Sequence, residues 1–134
     1  MLLNDKENVL KMCDFGSAFH VNASDAGIPT PYLVSRFYRA PEIILGLPYD
    51  RAVDVWSVGC CVAEMYTGKV LFSGSSNNEM LKLFMELRGR FSTKLIKRHK
   101  TVYIEKFEME PHFDQDNRFI SRELDIVTSK IYKL

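Results

Sequence analysis

The strongest constraint in this 134-residue sequence is the stretch from Asp50 to Gly68. Asp50 can cap the start of a helix and Gly68 can end one. Between them, Val53, Val55, Trp56, Val58, Cys60, Cys61, Val62, Met65 and Tyr66 fall on nearly every face of a 3.6-residue repeat. A helix that is apolar all round belongs inside a domain. The spacing therefore predicts a buried central helix over 51–67, with the rest of the chain arranged around it. A chain of this length buries roughly two-thirds of its unfolded surface, enough for one core. The longest uncharged stretch in its apolar middle, Val55 to Ala63, falls well short of the roughly 20 residues of a membrane span. No basic region followed by an apolar stretch opens the chain, so no secretory signal is expected.

Other elements follow from local chemistry. Leu2-Leu3 and Val9–Cys13 flank the polar cluster Asn4–Asn8, the pattern of a short β-hairpin. Residues 14–42 carry Gly16, Gly27, Pro29, Pro31 and Pro41 with little periodicity and read as a long loop, a common carrier of function. Ser76 through Glu79 has the spacing of a capping box, followed by Met80, Leu83, Phe84 and Leu87 at helical intervals up to Gly89. Residues 88–100 hold six basic side chains and no acid, and 105–116 hold five acids. These runs read either as a solvated surface insertion or as a docking face for a protein. With 18 basic and 17 acidic residues, the net charge of +1 argues against a general nucleic-acid binder. The three cysteines have neither a disulfide framework nor metal-ligand spacing, which suits a reducing compartment.

Three motifs occur in order: Asp14-Phe15-Gly16 after an apolar strand, Ala40-Pro41-Glu42 at the end of the long loop, and Asp54-Val55-Trp56-Ser57-Val58-Gly59 in the apolar helix. Together they resemble the C-terminal lobe of a eukaryotic protein kinase. The stretch Ser35-Arg36-Phe37-Tyr38-Arg39 before Ala40 resembles the CMGC group. Several segments, among them Val9–Ala18, Thr30–Tyr38, Asn77–Leu83 and His112–Gln115, are similar to its spliceosome-associated pre-mRNA-processing-factor-four branch. The dual-specificity tyrosine-regulated and Cdc-like kinases are the next-nearest branches.

The resemblance implies a mainly α fold, the helical half of an α+β kinase domain. Its parts would be a β-hairpin over 1–13, an activation segment over 14–42, a helical core over 43–89, and a CMGC-type insertion with a truncated end over 90–134. It implies a serine/threonine kinase using ATP and Mg²⁺ on protein substrates, with spliceosomal proteins as candidates, nuclear residence, and neither membrane nor direct nucleic-acid binding. Asp14 would ligate the metal through a hard carboxylate oxygen. Leu2 would form the floor under adenine. Cys13 would line the back of the nucleotide pocket or simply be a small buried residue. Phe15 would pack inside and Gly16 would let the backbone turn. Tyr32 would be the activating phosphotyrosine or a half-buried loop tyrosine. Arg36 and Arg39 would bind its phosphate, and Ser35 would sit by the substrate. Arg36 is also compatible with a preference for proline after the phosphosite. Glu42 would pair with an arginine late in the lobe, and Asp54 would be a buried acceptor for the catalytic loop.

The Gly-rich loop, strand lysine and H-R-D catalytic loop have no counterpart in these residues, and Met1 resembles an internal position of a longer frame. No catalytic aspartate is therefore assigned, and the chain alone is expected to be inactive. A non-catalytic protein-binding module, docking through 76–119, and an unrelated α+β domain remain as alternatives.

Overall fold

Trp56, Phe72 and Phe84 form the aromatic centre of the fold. The Trp56 ring stacks on Phe72 at 5.7 Å and meets the edge of Phe84 at 5.1 Å, and Phe72 and Phe84 meet edge-on at 4.7 Å. The computed structural model describes residues 2–6, 8–18, 31–124 and 131–133. Met1, Gly27, Pro29 and Thr30 lie outside the described residues.

Leu2–Leu3 (β1) and Leu10–Lys11 (β2) pair antiparallel, with Leu2 opposite Lys11. The Asn4 side chain closes their turn by accepting from the backbone N–H groups of Asn8 and Val9. This is the side-chain chemistry that makes Asn a turn residue. A 3₁₀ turn at Arg36–Tyr38 leads into the short helix Pro41–Ile44 (α1), which Pro41 opens at a position where its missing N–H costs nothing. The long helix Ala52–Thr67 (α2) starts where the Asp50 carboxylate accepts from Ala52 N–H at 2.8 Å, and ends at Gly68 with φ 70°. Asn77–Arg88 (α3) is capped by the Ser76 hydroxyl, which accepts from Glu79 N–H. Glu79 reaches back one residue further than a capping box requires, to the N–H and hydroxyl of Ser75. A fourth helix, Thr93–Glu105 (α4), is capped by Ser92. Arg122–Leu124 (β3) pairs antiparallel with Ile131–Lys133 (β4).

The core gathers Ile44 at the end of α1, Leu45 and Leu47 after it, Cys60 of α2, Met80, Leu81 and Phe84 of α3, and Ile96 of α4. Ala40, Ile43 and Val53 form a second cluster, with Trp56 packed against both. Gly46 is required at its turn: it has φ 68°, and a Cβ there would lie 2.6 Å from the Phe107 ring.

The central helix departs from its expected burial. Only Val53 and Cys60 of α2 are buried, whereas Val55, Val58, Val62, Met65 and Tyr66 are 54–92% exposed. One side of α2 faces the aromatic centre and the 3₁₀ turn, with Ser57 donating to Tyr38 C=O and Tyr38 to the Glu64 carboxylate. Among the described residues no element covers the other side. Asp54, expected to be buried, lies at the exposed N-terminal turn, so it carries no desolvation cost.

The 90–124 region is more built than its charge pattern implied. Its basic and acidic side chains are mostly exposed, as a solvated surface requires, but Ile96, His99 and Tyr103 of α4 are buried. Lys100 belongs to the structure rather than the solvent: its ammonium donates to Asp114 C=O, Gln115 C=O and Asn117 Oδ1. No helix among the described residues is long and apolar enough to cross a membrane.

Candidate functional site

The hairpin delivers Cys13, Asp14 and Phe15 to the surface. Asp14 has φ 63°, a left-handed conformation that Asp tolerates better than most residues, and its Oδ1 accepts weakly from Gly16 N–H at 3.4 Å. Its carboxylate is accordingly open to a ligand. A hard oxygen donor of this kind suits Mg²⁺, which takes one or two carboxylates and completes its shell with phosphate and water. No cluster of three or more His, Cys, Asp or Glu among the described residues could hold a metal alone. Phe15, expected inside, is 64% exposed, because no described element packs over this end of the hairpin. Cys13 and Leu2 are likewise exposed, so the described residues form no enclosed adenine pocket at this end.

The second half of the loop is tightly organised around Arg39, which is buried. Its Nε donates to Leu33 C=O and Val34 C=O, its Nη2 to Tyr32 C=O and Val34 C=O, and its Nη1 to Asn77 Oδ1 of α3 at 2.6 Å. Burial, followed by repulsion from Arg36, lowers its pKa from the usual arginine value, yet a guanidinium remains charged at any ordinary pH. Val34 adopts φ 68°, a conformation costly for a β-branched residue, and the two bonds from Arg39 to its carbonyl hold it there. Arg36 donates to Ser75 C=O, and Ser35 is exposed beside it. Tyr32 is 64% exposed rather than half-buried, with its ring 5.9 Å from the Arg39 guanidinium carbon. Glu42 sits in α1 and lines a cavity together with Arg98 of α4, but the two form no ion pair.

Sequence reasoning missed the polar network that ties the helices to the 109–122 segment. Asn78 donates to His112 Nδ1 and Ile120 C=O and accepts from Arg122 N–H. His99 Nδ1 donates to Leu45 C=O, and its Nε2 accepts from His112 N–H. The two imidazoles stack at 5.5 Å. Burial pushes the pKa of His99 down to about 4 and that of His112 down to about 3, so both are neutral near pH 7. Ser92 as a cap before Ile96, His99 and Tyr103 was a usable helical signal, but the surrounding lysines and arginines outnumbered it.

Known proteins share this pattern. The protein kinase domain family matches residues 1–131. A serine/threonine-protein kinase prpf4B of Dictyostelium discoideum is 48% identical over 134 residues, covering 100% of this chain and 15% of that protein. A serine/threonine-protein kinase prp4 of Schizosaccharomyces pombe is 49% identical over 130 residues, covering 97% of this chain and 25% of that protein. The chain thus spans a quarter or less of the length of these two relatives.

Proposed function

This chain belongs to the protein kinase family, and on that premise we propose that it supplies the activation segment and helical core of a nuclear CMGC serine/threonine kinase acting on splicing proteins. Its similarity along the whole chain to the prpf4B and prp4 kinases supports the group and the substrate class. In this reading residues 1–13 are a hairpin beneath the nucleotide, with Leu2 and Cys13 lining its pocket. Residues 14–42 form the activation segment, 43–89 the helical core and 90–134 the insertion. Asp14 would hold Mg²⁺, which when bound would supply charge neutralisation on the ATP phosphates. Ser35, Arg36 and Arg39 form the shelf for the substrate, and Tyr32 is the activating phosphosite.

The observation that carries this reading is the capture of the Val34 carbonyl by Arg39. A carbonyl already accepting two hydrogen bonds from a guanidinium offers little to a substrate backbone N–H. Proline has no N–H to leave unpaired, so a substrate with proline after its phosphorylated residue loses nothing on this shelf. An ordinary residue would bury an unpaired donor at a cost of about 1–3 kcal/mol. The full-length protein is therefore expected to phosphorylate a Ser-Pro peptide about tenfold or more better than the Ser-Ala peptide, and to lose phosphotransfer on Asp14→Ala. Equal kcat/KM for the two peptides overturns the proline preference; absence of ATP-dependent transfer overturns the kinase reading. The 134-residue chain by itself, which has no residue in the role of proton acceptor for the substrate hydroxyl, is expected to transfer no phosphate.

A further inference from the structure

The charges of α4 are placed where the helix itself gains nothing from them. At about 3.6 residues per turn, Ile96, His99 and Tyr103 form its buried line, and the outer face includes Lys94, Lys97, Arg98, Thr101, Ile104 and Glu105, all of them exposed. Thr101 lies at the middle of that face, its hydroxyl donating to Lys97 C=O. The cations occupy the N-terminal half and the carboxylate the C-terminal end. Exposed Arg88 and Arg90 extend the basic end, and exposed Glu108 extends the acidic one. This polarity is the reverse of what the helix macrodipole favours: the first turn holds no acid and the last turn no base. None of Lys94, Lys97, Arg98, Glu105 and Glu108 forms an ion pair among the described residues. Arg98 borders a cavity with Glu42 and Asp50 without pairing with either.

We propose that this face of α4 docks against the same face of a second copy of the chain, with the two helices antiparallel and a two-fold axis passing beside Thr101. The face is self-complementary under that operation. Arg98 and Glu105 lie on the same flank of the helix, about 5 Å to either side of Thr101 along its length. Each Arg98 therefore meets Glu105 of the second copy, and the symmetry makes the contact twice. Lys94, one turn further out, lies toward Glu108 of the second copy. On the other flank Ile104, 59% exposed, covers the aliphatic stem of Lys97 of the second copy. Antiparallel alignment also sets each end of one macrodipole beside the opposite end of the other. A parallel pair would put like charges together, and a uniformly acidic partner would leave Glu105 and Glu108 against carboxylates. Only a partner with the same inverted polarity answers both halves of the face. The contact is one helix face wide, so the dimer is weak and forms at micromolar concentrations or above.

Analytical ultracentrifugation of the 134-residue chain, over a concentration series from micromolar to sub-millimolar, tests this. The wild type is expected to pass from monomer to dimer, and added salt should weaken the dimer because its ion pairs are exposed. Arg98→Glu and Glu105→Arg each turn two attractive contacts into two repulsive ones, and each alone should raise the dimer Kd about tenfold or more. An equimolar mixture of the two variants pairs Glu with Arg at both contacts and should return to within about threefold of wild type. Both positions are exposed, and Trp56 emission checks that each variant keeps its fold. A wild type that stays monomeric throughout the series overturns the proposal. So does a dimer that neither reversal weakens, which would place the contact elsewhere, for example on the uncovered side of α2. Weakening by the single reversals with no recovery in the mixture also overturns it, because Arg98 and Glu105 would then not meet each other. No phosphotransfer enters the measurement, so each of these results leaves the kinase reading untouched.

Discussion

Lowering the pH from 7 to 5 is expected to destabilise this chain by about 4 kcal/mol through His99 and His112 alone. Both rings are neutral by construction. His99 gives its Nδ1 proton to Leu45 C=O and uses Nε2 as the acceptor for His112 N–H. His112 accepts at Nδ1 from the Asn78 amide, whose orientation is set by Ile120 C=O and Arg122 N–H. A second proton on either ring would turn an acceptor into a donor facing a donor. Arg122 and Lys100 also oppose charge on His99, and His99 and Arg122 oppose it on His112. The unfolded chain protonates these rings near 6.5, whereas the fold holds them down to about 4 and about 3. Their contribution is therefore fully present above 6.5 and is lost as the pH falls from 6.5 toward those values, because only the unfolded state takes up protons in that window. At pH 5 the gap is about 1.5 units per ring, or about 2 kcal/mol each. Against a typical total of about 5–15 kcal/mol, this loss is large. Urea unfolding followed by Trp56 fluorescence at pH 7 and pH 5, at constant ionic strength, measures it. The double variant His99→Gln/His112→Gln should be weaker at pH 7 and much less pH-dependent. A wild-type difference below about 1 kcal/mol, or an undiminished slope in the double variant, would falsify the reasoning.

Other consequences are separable from this one. Asn78→Ala removes one partner from His112, Ile120 and Arg122 at once; a loss of about 2–4 kcal/mol is expected in the same assay. Gly46→Ala forces a Cβ against Phe107 at a left-handed backbone position and should cost about 2 kcal/mol or more, read as a lowered thermal midpoint. Phe84→Ala opens the contact with Trp56 and Phe72 and should cost about 3–5 kcal/mol, with a shift in Trp56 emission. Val58→Ser on the exposed face of α2 should change the unfolding free energy from urea titration by no more than about 0.5 kcal/mol; a larger loss would mean that this face is covered in solution.

The sequence carried whatever is written in short-range chemistry. Asp50, Gly68, Ser76 and Gly89 mark helix ends because capping depends on side chains within a few residues of the backbone groups they satisfy. The Asn4 turn was legible for the same reason, and the ordered motifs around Asp14, Glu42 and Asp54 sufficed to identify the family. Apolar periodicity could say that α2 wants cover on all sides, but not which sides receive it. That depends on which other segments pack there, and among the described residues only one face is covered. Tertiary structure alone decided that Phe15 lies exposed, that Arg39 bundles three carbonyls and Asn77 of a helix 38 residues away, and that Lys100 closes a loop instead of meeting solvent. It also decided that His99 and His112 are neutral and stacked. Burial and long-range hydrogen bonding set a side chain's charge and role, and neither leaves a mark at a fixed sequence spacing.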